Sequence, residues 1–413
     1  MRKFQTDSAT HAREVIERCR DLARISDVEG QTTRTFLSEA TKGAHALLKS
    51  WMLRAGLDVR TDDIGNVHGV RHASMPDAQT LLLFSHVDTV PHAGAFDGPL
   101  GVLLSLAAIE ALGQRPLPFA IELIALSEEE GVRFSFPFLA SKALVGELTA
   151  EMLDLRDAEG ITVEQAIRSF GLDPQNIAVT CALPPRVAAA IECHIEQGPV
   201  LDATDASIAV VESIVGQTRL NLTFSGHANH AGTTPMSMRS DALAAAAQWI
   251  TAVERFALDH KQLVATVGRL DVQPNAGNVV PGQVQASLDV RHPSDESRHA
   301  AVAHLLNKAQ GAAEARGVSV HAETRLQQRS VPMDRKLTTL LAEAAERSSE
   351  LPRRMFSGAG HDAMVLAAHV PTAMLFVRSP GGLSHHPDET VRERDVAAAL
   401  ATLLEFLTHF EVG

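Results

Sequence analysis

Three apolar runs constrain this chain more than any other feature: LLLF (81–84), FAIELIALS (119–127) and AAAIECHIE (188–196). Continuous apolar stretches of this length mark strands buried on both faces. Between the first two, Pro99 opens an Ala/Leu-rich stretch over 100–112 that Gly113 closes, the signature of a helix. Buried strands alternating with helices predict a mainly parallel α/β sheet. Functional groups in such sheets gather at the carboxyl ends of the strands. His86, Glu129/Glu130 and His194 all fall at or near such ends.

The flanking segments extend the pattern. Val15, Ile16, Cys19, Leu22 and Ala23 share one face of an N-terminal helix, and Phe36 to Ala55 again carries apolar residues at helical spacing. Strand-like pieces flank 62–66, as in a hairpin. From about residue 213 the periodicity changes. Leu220, Leu222 and Phe224 alternate; a helix is predicted over 240–257, strands at 263–271 and 284–290, a helix after Ser294, and a strand at 317–325. This β-α-β-β-α-β order matches a ferredoxin-like α+β domain. After residue 330 the α/β pattern returns, with a helix at 334–347, the apolar strand TAMLFV (372–377) and a last helix from 392. The expected organisation is a discontinuous α/β domain over 1–212 and 330–413, with a second domain, 213–329, inserted.

Composition narrows the function. At about 150 residues per domain, 413 residues suit two or three domains. With 37 Lys+Arg against 50 Asp+Glu, the net charge of -13 disfavours nucleic acid or anionic lipid as a partner. Aromatics total 4% with no Tyr, a poor base-stacking surface. Cys19, Cys181 and Cys193 form no CxxC pair, which suits a reducing compartment. The N-terminus lacks the apolar core of a secretion signal, and no run approaches the roughly 18 apolar residues of a membrane span. A cytoplasmic protein is expected.

The densest cluster of reactive side chains is SHVDTVPHAGAFDG (85–98). His86 and Asp88 are two apart and share a face on extended backbone, so Asp88 can fix the tautomer of a metal-binding His86. Asp97 lies in a glycine-rich loop before a helix, where its carboxylate could bridge two cations. In LSEEEGVRF (126–134) three adjacent carboxylates end a strand, and such like charges raise one another's pKa unless a cation offsets them. The spacing leaves open which two act. HIEQGP (194–199) places His194 and Glu196 on one face and Cys193 on the other, where it reads as core. SHHPDE offers two further histidines. Imidazole mixed with carboxylate suits Zn, Mn, Co or Ni, and the matching chemistry is hydrolysis at a dinuclear centre.

In order along the chain, SHVDTVP…FDGPLGV, EEEGVRF, HIEQGPVLD, GHANHAGTTPMSMRSDAL, NVVPGQVQASLDVRHP, SGAGHDA and GGLSHHPDE resemble the hydantoinase/carbamoylase branch of the M20 metallopeptidase-like amidohydrolases. That branch holds N-carbamoyl-L-amino acid hydrolases, β-ureidopropionases and allantoate amidohydrolases. The resemblance implies a parallel-sheet catalytic domain interrupted by a lid and dimerisation domain, a homodimer, and two divalent metal ions per subunit. It implies Asp97 as the bridging ligand, with His86 and His194 on one metal and Glu130 and His385 on the other. It further implies Glu129 as general base, Asp88 as the orienter of His86 and His230 as the group stabilising the oxyanion. Gln197, Asn278, Arg291, Gly360 and His361 are the implied substrate-binding positions. The expected activity is hydrolysis of an N-carbamoyl amino acid to amino acid, carbon dioxide and ammonia. The alternatives are allantoate, an N-acyl amino acid or dipeptide, and a non-catalytic binding protein on the same fold.

Overall fold

The apolar runs fold as strands and the stretches between them as helices. The computed structural model describes residues 2–412, with side chains from Thr10 onward. Chain contacts divide it into two units, Met1–Glu212 with Pro332–Gly413, and Ser213–Val331.

In the first unit the chain runs α1 (Arg2–Ala23), α2 (Glu39–Arg54), β1 (Asp58–Thr61), β2 (Val67–Arg71), β3 (Thr80–His86), α3 (Pro99–Leu112), β4 (Ala120–Leu126), α4 (Leu139–Leu144), α5 (Val163–Phe170), β5 (Val187–Ile195) and β6 (Ile208–Ile214). The second unit supplies β7 (Gly216–Ser225), α6 (Ala242–Asp259), β8 (Val264–Thr266), β9 (Leu270–Gln273), β10 (Gln283–His292), α7 (Asp295–Glu314) and β11 (Ser319–Gln328). The chain then returns through α8 (Arg335–Arg347), β12 (Thr372–Val377) and α9 (Glu393–His409).

The first unit's sheet runs β1-β2-β4-β3-β5-β12-β6. Its centre, β4-β3-β5-β12, is parallel, with antiparallel strands on either side. Both faces of this centre are covered, so β3, β4 and β12 are apolar nearly throughout. α3 is apolar on every side and almost wholly buried, as a helix inside a layered core must be. It approaches the sheet so closely that a Cβ on Gly101 would lie 1.9 Å from the Cys193 carbonyl oxygen.

The second unit is an antiparallel sheet in the order β9-β10-β7-β11, with β8 beside β10. α6 and α7 pack on one face, over Leu220, Leu222 and Phe224 of β7 and Val284, Ala286, Leu288 and Val290 of β10. Two element boundaries differ from the periodicity. The helix expected from Phe36 begins at Glu39, because Leu37 turns the chain with φ 49° and Ser38 is still extended. Phe36 remains apolar core, edge-on to Phe134 at 6.1 Å. The strand expected over 263–271 is broken into β8 and β9; between them the Arg269 amide donates to Ser287 Oγ (3.0 Å) instead of extending a ladder.

Candidate metal centre

Adjacent parallel strands deliver the ionisable groups side by side. β4 ends into Glu128–Glu130, β3 in His86, β5 carries His194, and the loop after β12 carries His385. Asp97 enters from the loop before α3. A Cβ on Gly98, which has φ +82°, would fall 2.5 Å from the His86 ring, so the FDG turn needs glycine there.

Among the described residues four donor groups have ligand atoms within 4.8 Å of one another: His86–Asp97–His194, Asp97–Glu130–His385, His86–Glu129–Glu130 and Glu192–His194–His361; the first two meet at Asp97. His194 Nε2 lies 3.2 Å from Asp97 Oδ1, and His86 Nε2 lies 3.8 Å from the same oxygen. His385 Nε2 lies 3.2 Å from Asp97 Oδ2 and 3.5 Å from Glu130 Oε1. Gln197 Nε2 (2.9 Å) and Ser384 Oγ (2.6 Å) donate to Asp97 Oδ2, whereas buried Oδ1 has no hydrogen-bond partner.

The tautomers follow from the partners. His194 Nδ1 donates to the Ile195 carbonyl at 2.9 Å, and burial pushes its pKa down to about 4. Its Nε2 is therefore a lone pair aimed at a carboxylate. His86 Nδ1 faces two acceptors on Asp88, the carbonyl oxygen at 3.2 Å and Oδ1 at 3.3 Å, so Nδ1 bears the proton and Nε2 turns to His194 Nε2, 3.3 Å away. Burial disfavours a charged His86, but the Asp88 bond and the charges of Glu129 and Glu130 outweigh it and hold its pKa well above the ordinary value. Imidazole nitrogens and an orphaned carboxylate oxygen converging in a buried site offer the mixed donors that a divalent cation takes. The donor set thus fits divalent metal.

The acidic triplet divides its roles. Glu128 is consumed by backbone, accepting from Gly131 (2.7 Å) and Leu139 (2.9 Å). Glu129 and Glu130 instead project into the same donor cluster as His86. Burial raises the Glu129 pKa well above the carboxylate range and lifts Glu130 to about 8, with Asp97 adding to the latter. Asp88 ties this segment to β3 by accepting from the amides of Glu129 (3.0 Å) and Glu130 (3.1 Å). Glu196 is spent on capping, accepting from Val200 and Leu201. Buried Cys193, its thiol pushed up to about 12 by burial, is no nucleophile.

Of the expected substrate groups, Gln197 touches Asp97, and buried His361 packs edge-on against His194 with ring centroids 4.5 Å apart. Gly360 is beside it, where a Cβ would meet Phe138 at 3.0 Å. His230, Asn278 and Arg291 belong to the second unit. There Ala231 N donates to the Asn278 carbonyl (2.9 Å), and His230 Nδ1 accepts from Gly232 (3.1 Å) and Thr233 (3.2 Å), which leaves the ring proton on Nε2. Arg291 forks onto Asp289 at 3.1 and 3.0 Å, and Arg219 and Gln217 donate to the same carboxylate.

Sequence reasoning missed two buried organisers. Arg34 Nε donates to the Val87 carbonyl (2.8 Å), and its Nη1 donates to Leu22 and Ile25 at the end of α1. Arg34 and Thr89 also exchange bonds, locking the segment that carries Asp88. Burial lowers the Arg34 pKa only to about 10, so it is a fixed cation beside Asp88. Glu389 Oε1 accepts from Phe96 (2.8 Å) and Asp97 (3.0 Å) and so holds the Asp97 loop. Glu389 was visible in the GGLSHHPDE motif; nothing in TTRTF points to Arg34.

Comparison with known proteins places this architecture. Residues 82–409 match the model of the peptidase family M20/M25/M40. Allantoate deiminase 2 of Glycine max is 37% identical, over 95% of this chain and 88% of its own. An N-carbamoyl-L-amino acid amidohydrolase of Geobacillus stearothermophilus is 37% identical, over 91% and 92%. The crystal structure of a hydantoinase/carbamoylase family amidase from Burkholderia multivorans superposes with a TM-score of 0.90 at 34% identity, covering 96% of this chain and 97% of that one. The chain belongs to the peptidase family M20/M25/M40.

Proposed function

We propose that this protein is a dinuclear metal-dependent amidohydrolase that cleaves a C–N bond of an N-carbamoyl amino acid, releasing the amino acid, carbon dioxide and ammonia. As a member of its family it is a hydrolase acting on a non-peptide C–N bond. The observation that carries the finer reading is the pair of donor groups sharing Asp97, with Glu129 beside them. His86 and His194 would hold one ion, Glu130 and His385 the other, and Asp97 both; mixed imidazole and carboxylate suit Zn, Mn, Co or Ni. Bound there, the ions would supply Lewis acidity toward the ureido carbonyl and the attacking water.

The chain's own groups do the rest. Glu129, buried beside the donor groups, takes the proton from the attacking water and passes it to the leaving nitrogen. Asp88 holds the His86 ring, and Gln197 and Ser384 hold Asp97. His230, its proton fixed on Nε2, donates to the developing oxyanion. Arg291, splayed by Asp289, receives the substrate carboxylate, with Asn278, Gly360 and His361 as further substrate contacts. The second unit serves as lid and as the surface of a homodimer. Allantoate is the second substrate reading, supported by the Glycine max allantoate deiminase, which is as similar to this chain (37%) as the Geobacillus stearothermophilus N-carbamoyl-L-amino acid amidohydrolase.

Glu129→Gln tests the assignment. Turnover should fall by about 10²–10⁴-fold while the bound metal stays at the parent's content. Unchanged hydrolysis would remove Glu129 as the base.

A further inference from the structure

Behind the acidic strand end lies a second buried polar row that the proposed chemistry does not use. His68 of β2 is fully buried, with Nε2 2.9 Å from Asp62 Oδ2 and Nδ1 2.8 Å from Glu122 Oε1. Both ring nitrogens face carboxylates, which favour the charged imidazole, while Nδ1 also lies 3.1 Å from Arg60 Nη2. Burial opposes that charge, but the two carboxylates overcome it and raise the His68 pKa. Arg60 Nη2 closes the row from its half-exposed end, 3.3 Å from Glu122 Oε1 and 3.1 Å from His68 Nδ1. Its buried members, Asp62, His68 and Glu122, form a rigid unit, because losing one leaves a neighbouring charge unpaired.

The row is joined to the acidic triplet through the turn that carries Ile64 and Asn66. Asp62 accepts from the Asn66 side chain (3.0 Å) and from the amides of Asn66 (2.8 Å) and Ile64 (3.2 Å). Asn66 Oδ1 in turn accepts from the amide of Ser127 (2.9 Å), and Ser127 Oγ donates to the Ile64 carbonyl (2.9 Å). Ser127 immediately precedes Glu128–Glu130. The turn closes tightly on it: Gly65, with φ +96°, would place a Cβ 3.4 Å from Ser127 Cβ and 2.7 Å from Leu37.

We infer that Asn66, backed by the Asp62–His68–Glu122 row, is a positioning residue for the reaction: it clamps Ser127 and thereby fixes the backbone from which Glu129 and Glu130 project. Asp88 holds the amides of Glu129 and Glu130 from the β3 side, and Asn66 holds the same segment from the β2 side. The role rests on the function proposed above, since it serves the carboxylates assigned there.

The test compares the metal-reconstituted parent with Asn66→Ala and Ser127→Ala, reading kcat and KM on N-carbamoyl-L-amino acids and allantoate. It also reads amide hydrogen exchange over 126–131 in the folded proteins. A carboxylate displaced by a fraction of an ångström should cost kcat about tenfold to a hundredfold in Asn66→Ala, with KM within about twofold of the parent. Ser127→Ala, which keeps the amide bond and loses only the hydroxyl, should show a smaller loss in the same direction and guards against misfolding of the first variant. Exchange over 126–131 should quicken by about tenfold in Asn66→Ala. Parental kcat or parental exchange in folded Asn66→Ala would overturn the inference. If the parent itself were silent on every substrate, the functional proposal would fail, and exchange alone would still decide whether Asn66 clamps the segment.

Discussion

Asp97 shows how finely single residues set this site. Its Oδ2 is held by Gln197 and Ser384, and its backbone amide by Glu389, so the carboxylate is aimed before any ligand arrives. Pre-aimed groups of this kind also carry protons that metal must displace. Burial, with the charge of Asp97 adding to it, lifts Glu130 to about 8, and the Asp97 bond raises His385 to about 9 against the opposing effect of burial. At pH 7 both therefore hold protons in the metal-free protein, and both must lose them to ligate. Metal affinity is expected to rise as pH climbs toward 8–9 and to flatten above, with protons released on metal addition at pH 7. A pH-indicator titration in weak buffer checks this, and metal uptake without proton release would contradict the ligand set. His86 and His194 were legible at strand ends, whereas Glu130 among three carboxylates and His385 beside His386 were singled out only by the family resemblance. Arg34 was not, since its partners Val87, Leu22 and Ile25 meet only once the chain has folded.

At the scale of elements, the parallel strands β4-β3-β5-β12 act as one platform, and α3 fixes the spacing beneath it. Gly101 is the contact point, with no room for even a methyl group against the Cys193 carbonyl. Gly101→Ala should destabilise the first unit by about 1–3 kcal/mol, because the helix must move off the strand carrying His194. Urea unfolding measures it; a midpoint equal to the parent's would mean that α3 can shift freely. The buried strands and α3 were legible because apolar runs with Pro and Gly at their ends admit few alternatives. The start of α2 and the break between β8 and β9 were not, since the Leu37 turn is a local backbone setting and the bond from the Arg269 amide to Ser287 Oγ joins distant residues, neither of which apolar spacing reveals.

The whole chain shares its M20-family architecture with relatives named as allantoate deiminase and N-carbamoyl-L-amino acid amidohydrolase, matched across nearly their full lengths. Among the described residues no helix is long and apolar enough to cross a membrane. The ordered motifs over residues 85–389 made the family legible. The choice of substrate was less legible. The groups proposed to select it, His230, Asn278 and Arg291 of the second unit, have side-chain settings, such as the Asp289 fork, that emerge only in three dimensions. The central claim is metal-dependent hydrolysis of a ureido C–N bond. The most direct measurement is ammonia release by the protein reconstituted with Zn, Mn, Co or Ni, on N-carbamoyl-L-amino acids and allantoate, beside a chelated control. Release that needs metal and disappears with the chelator is the expected result; a protein that binds two ions per chain yet releases no ammonia from any of these substrates would contradict it.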